Sequence, residues 1–141
     1  MASVKHVKDI LLDREIWLKW KKKVLPRNCV YAGRANTNYD LPTSIFCNPF
    51  RMPDKSEAAR LQVIAAYKNW FITGDATNAD SRLLKVFGFK NFDEWRERLR
   101  GLLQAIIDSP SSRKVTFLCW CAPDACHCDF LAEMINEKKL Q

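Results

Sequence analysis

Residues 119–129 read Cys-Trp-Cys-Ala-Pro-Asp-Ala-Cys-His-Cys-Asp, so four of the chain's six cysteines and one of its two histidines fall within ten residues. Side chains of these types support three kinds of chemistry. A thiol beside a base is a nucleophile. An imidazole moves protons near neutral pH. Several thiolates together hold zinc. Cys126, His127 and Asp129 are the candidate catalytic residues. They stand where a helix is expected to begin, and there unpaired N–H groups and the helix dipole favour anions and lower a thiol's pKa. Adjacent residues usually point apart, so a direct Cys126–His127 pair is not expected.

The zinc reading would use Cys119, Cys121, Cys126 and either Cys128 or His127. Structural zinc sites usually take their cysteines from knuckles with about two to four residues between ligands. Here the order is Cys-x-Cys, four residues, Cys-x-Cys. A zinc deaminase needs a His-x-Glu element upstream, and His6 is followed by Val7-Lys8. No metal ligand is assigned and no cofactor is expected, with zinc kept as the second reading. The bland reading makes Cys119 and Cys29 buried apolar residues of strands. It also makes Asp129 a helix N-cap, and pairs Arg34 with Asp124 or Asp129.

Two apolar segments must position these groups. Val115 to Trp120 is a continuous apolar run of the kind buried in mid-sheet. Cys29-Val30-Tyr31-Ala32 is a short strand ending at Gly33-Arg34, and a polar loop leads from it to Cys47-Asn48-Pro49-Phe50. Gly33, Arg34, Asn48 and Cys121 are the candidate ligand-binding residues. Arg34 can grip a phosphate with two parallel bonds, and Asn48 offers donor and acceptor to a base edge. If the two strands are parallel neighbours, all these groups meet at one rim, where α/β domains bind ligands.

Helices fill the rest. Residues 4–24 read as an amphipathic helix through Val4, Val7, Ile10, Leu11, Trp17, Leu18 and Val24, ended by Pro26. A helix over about 56–72 places Leu61, Ile64, Ala65, Lys68 and Phe71 along one side, and Gly74 ends it. A short helix lies near 81–87. Asn91 with Glu94 approximates a capping box for a helix whose buried stripe is Trp95, Leu99, Leu102, Leu103 and Ile106. A final helix capped by Asp129 turns Leu131, Met134 and Ile135 inward. The fold class is α/β: a small Rossmann-like layered domain over residues 28–141 with an added amino-terminal amphipathic helix, a basic arm over 1–27.

The net charge of +7 is concentrated in that arm, which holds eight Lys/Arg against three Asp/Glu. A nucleic acid is a partner this arm can take, through Lys19, Lys21, Lys22 and Lys23, against the bland reading of a solvated helix face. No segment reads as a signal peptide or membrane span. That points to a cytoplasmic chain with reduced thiols.

Tyr31-Ala32-Gly33-Arg34, Cys47-Asn48-Pro49-Phe50 and the Cys-Trp-Cys-Ala-Pro box with Cys126-His127 and Asp129 together resemble the "domain of unknown function 4326" family of bacteria, phages and some eukaryotes. The likeness spans roughly 29–135 and leaves the amino-terminal helix outside. It implies a compact α/β domain and brings no activity with it. Where the family has Gly before Asn-Pro-Phe and Gly after Cys-His, this chain has Cys47 and Cys128. The matching replacements suggest neighbouring, oxidisable thiols. The leading functional reading is a nucleotide- or nucleobase-directed enzyme, with N-glycosidic cleavage or transfer as the first reaction to test. The alternative is a nucleic-acid-binding or host-interaction module with a structural cysteine cluster.

Overall fold

The computed structural model describes residues 1–11, 25 and 28–141. Three strands form one sheet: β1 (Ser3–His6), β2 (Cys29–Tyr31) and β3 (Thr116–Cys119). The order is β1-β3-β2 and both pairings are parallel, with Val4 and Val30 each opposite Phe117. Among the described residues the helices are α1 (Val7–Leu11), α2 (Glu57–Thr73), α3 (Arg82–Phe87), α4 (Phe92–Asp108) and α5 (His127–Glu137). A single turn of 3₁₀ helix, Ser112–Lys114, leads into β3.

β3 is central because its apolar residues are wanted on both faces. Phe117 joins the larger core with Trp70, Trp95, Leu103 and Phe130. Leu118 points the other way, into a smaller cluster with Val7, Leu11, Tyr31, Tyr39 and Leu41. α5 lies against β1, β3, α2 and α4, and its residues Leu131, Met134 and Ile135 are buried as the sequence leads one to expect. No helix among the described residues is long and apolar enough to cross a membrane.

Local signals set several boundaries. Ser56 caps α2 by accepting from Ala59 N at 3.1 Å, and Gly74 closes it in a left-handed conformation, φ 86°. Asn91 Oδ1 accepts from Glu94 N at 2.9 Å, while Glu94 reaches back to Lys90 N instead of to Asn91 itself.

Three expectations need correction. The amino terminus is not helical from residue 4: Ser3–His6 is an edge strand on β3, so these residues belong to the sheet and not to an arm. Parallel pairing and the bond from Ala2 N to Asn136 Oδ1 at 2.7 Å override a spacing that also suits a helix. Helix begins only at Val7, and Trp17, Trp20 and the lysines after them lie outside the described residues. In α2 the buried face is Ala59, Tyr67, Trp70 and Phe71, and Leu61, Ala65 and Lys68 face outward. The larger aromatic surface decides which side turns in. Finally, Asp129 is the third residue of α5 and not its N-cap, which is Cys126.

Candidate functional site

The parallel pairing of β2 with β3 brings the Gly33-Arg34 end and the cysteine-rich turn to the same edge of the sheet. A cavity of about 250 Å³ opens there. Its lining includes Gly33, Arg34, Asn48, Cys121, Cys126 and His127, six of the seven residues singled out by sequence. Asp129 is the exception. It faces a different hollow beside Ala2 and Asn136, and its carboxylate accepts from Cys126 N at 3.0 Å. That bond completes a capping box in which the cysteine sulfur replaces the usual hydroxyl, so Asp129 organises the turn from outside the cavity.

Each lining residue has a structural cause for its place. The Tyr31 ring crosses the backbone at Gly33, and a Cβ there would overlap it. Tyr31 Oη donates to the Arg34 carbonyl and accepts from Trp120 Nε1 at 2.8 Å, which locks the two strand ends together. Arg34 donates to the Asn48 carbonyl at 3.0 Å and to Asp80 at 3.4 Å. Asn48 itself holds the loop: its Nδ2 donates to Val63 O at 3.0 Å and its Oδ1 accepts from Phe50 N at 2.9 Å. Each half of the amide holds one bond within the structure, which leaves one N–H and one lone pair for a ligand.

His127 is buried, and burial pushes its pKa down, so the ring is neutral. Nε2 donates to the Phe46 carbonyl at 2.7 Å, which leaves Nδ1 as the basic nitrogen. Nδ1 lies 3.5 Å from Cys126 Sγ, so the two adjacent side chains meet after all. An N-cap followed by the first helical residue bends the chain enough to turn both inward.

The thiols form one group. The sulfurs of Cys119, Cys126 and Cys128 all lie within 4.8 Å of one another, and all three residues are buried. Hydrogen bonds from the Cys121, Cys126 and Cys128 thiols hold the Cys119 pKa far down. Cys121, Cys126 and Cys128 are pushed up, each chiefly by Cys119. All six cysteines are free thiols. Burial pushes the Cys47 thiol up to about 12. Burial pushes the Tyr67 hydroxyl up, and the Cys128, Cys47 and Cys126 thiols nearby add to that.

Arg51 and Arg60 also line the cavity, and no local motif announces them. Arg60 projects from the first turns of α2. One of its terminal nitrogens lies 3.5 Å from Asp124, and its buried Nε has no hydrogen-bond partner. Arg34 and Arg51 share Asp80 with Arg82, at 3.4, 3.5 and 3.0 Å. Among the described residues no carboxylate lines the cavity, and the apolar part of its wall comes from Phe50, Met52, Val63, Ile64 and Trp120.

The model of the family described as Domain of unknown function (DUF4326) matches residues 17–137. The chain belongs to this family. The family match begins before residue 29, so part of the amino-terminal segment expected to lie outside it falls within it. No curated protein and no solved structure matches the chain.

Proposed function

We propose that this member of the family is a nucleotide- or nucleobase-directed protein, which takes a small anionic ligand with a flat apolar part into the strand-end cavity. The supporting observation is that three guanidinium groups from separate segments, Arg34, Arg51 and Arg60, surround one largely apolar hollow. Asp80 serves three arginines at once and cannot neutralise them all. Asp124 is well exposed, so its pairing with Arg60 is weak. The rim is thus net positive, and Arg60 Nε is a buried donor in want of an acceptor. A phosphate satisfies both conditions.

Within the cavity, His127 is the group suited to handling a proton, because it is neutral and its Nδ1 lone pair is held in a fixed direction by the bond from Nε2. Glycosidic-bond cleavage loses its particular support, since Asp129 is engaged in the α5 cap outside the cavity.

Titration calorimetry with nucleoside monophosphates, nucleosides and free bases tests this reading. The phosphorylated compounds bind best, and Arg60→Ala weakens them by about tenfold or more, the worth of one charged hydrogen bond. Lys85→Ala, on the exposed side of α3, leaves binding unchanged. Equal affinity in Arg60→Ala, or no binding by any of the three classes, overturns it. Binding only of oligonucleotides, steeply weakened by salt, assigns the activity to the basic segment instead.

A further inference from the structure

Two cysteine pairs separated in sequence close on one another at the end of β3. Cys119 ends the strand, Cys121 lies in the turn, Cys126 is the N-cap of α5 and Cys128 its second residue. We propose that Cys119, Cys121, Cys126 and Cys128 together bind one zinc ion. The spacing rule that speaks against such a site assumes that each knuckle acts as a loop. Here a strand end and a helix start supply the two pairs, and one residue between ligands then suffices.

The distances fit a single ion. Four sulfurs at about 2.3 Å from a tetrahedral zinc stand ~3.8 Å apart. The sulfurs of Cys119, Cys126 and Cys128 already lie within 4.8 Å of each other, so closing on the metal takes about 1 Å or less. The Cys121 thiol lies near those of Cys119 and Cys126 but outside the 4.8 Å group, so it becomes the fourth ligand by turning toward the ion. An iron–sulfur cluster spreads its cysteines over two or four irons and needs a wider cage. An all-sulfur set excludes calcium and magnesium, which take oxygen.

The surroundings suit thiolates. Ala122 N–H donates to Cys119 Sγ at 3.4 Å. The positive end of the α5 dipole lies under Cys126 and Cys128. The bond from Cys126 N to Asp129 at 3.0 Å fixes the turn that carries them. Metal binding sends the thiol protons to solvent and moves no electron. The site shares a wall with the ligand cavity through Cys119, Cys121 and Cys126, yet the inference stands without any ligand there.

Elemental analysis of the reduced, untagged full chain is the test, with cobalt(II) uptake as the second readout. The wild type, Cys29→Ser and Cys47→Ser each carry about one zinc per chain, and Cys126→Ser and Cys128→Ser lose most of it, by about tenfold or more. Should those two variants fail to fold, the cobalt-loaded wild type decides, through the sulfur-to-cobalt absorption of a four-thiolate tetrahedral site. Zinc retained by Cys126→Ser and Cys128→Ser overturns the proposal. So does a wild type that takes up neither metal, or one with a disulfide among these four cysteines. Arg60→Ala keeps its zinc, which separates this result from the failure of ligand binding.

Discussion

His127 Nε2 donates to the Phe46 carbonyl at 2.7 Å, across 81 residues of sequence, and so fastens the start of α5 to the turn that carries Asn48. The same turn is gripped from a second side by Trp95 Nε1, which donates to Ile45 O at 2.9 Å. The wall of the cavity is therefore braced by two buried side chains on different helices.

His127→Ala removes this bond, leaves a buried carbonyl unpaired and opens a hole beside the Tyr67 ring, whose centroid lies 4.8 Å away. The expected cost is about 2–4 kcal/mol. Urea unfolding read by far-ultraviolet circular dichroism measures it. A cost under about 0.5 kcal/mol would place the ring outside the core.

Asn48 makes a sharper test, since both ends of its amide are engaged. Asn48→Ala loses two hydrogen bonds and costs about 1–3 kcal/mol. Asn48→Asp costs more, because it turns a carboxylate oxygen toward the Val63 carbonyl where an N–H stood. The order of the two unfolding midpoints in urea is the measurement, and an aspartate variant as stable as wild type contradicts the assignment.

Asp80 sets an acid limit. Its bond to Arg82 first, and then the Arg34 guanidinium, hold its pKa well below the usual carboxylate range. A carboxylate depressed in the folded state adds stability above its unfolded pKa of about 3.9, and this is lost as pH falls toward the folded value. Asp80→Asn is therefore less stable than wild type at neutral pH, and the gap narrows below about pH 4. Paired denaturation curves at pH 7 and pH 3 show whether it does. A constant gap means the arginines do not act through its charge.

What the sequence discloses is what acts locally. Asn91 with Glu94 and Ser56 with Gly74 announce their helices because a cap is made within a few residues. The apolar run at 116–119 names the central strand for the same reason. The edge strand at Ser3–His6 stays hidden, since its partner is 113 residues away and Val4, Val7 and Leu11 also suit a helix. Arg51 and Arg60 reach the cavity only through the packing of α2 and its preceding loop, and no spacing encodes that. The cysteines were visible as a group, but their convergence depends on the angle between β3 and α5. Sequence likewise could not show that Asn48 ties its loop to α2, because an amide's direction is fixed by partners that arrive from elsewhere.

The most direct test of the central claim is a nitrogen-15 correlation spectrum recorded while a nucleoside monophosphate is added. The account expects saturable shifts at the backbone amides of Gly33, Arg34, Arg51, Arg60, Trp120, Cys121, Ala125, Cys126 and His127, all of which line one cavity. Shifts confined to the amino-terminal basic residues, or none at millimolar ligand, would contradict it.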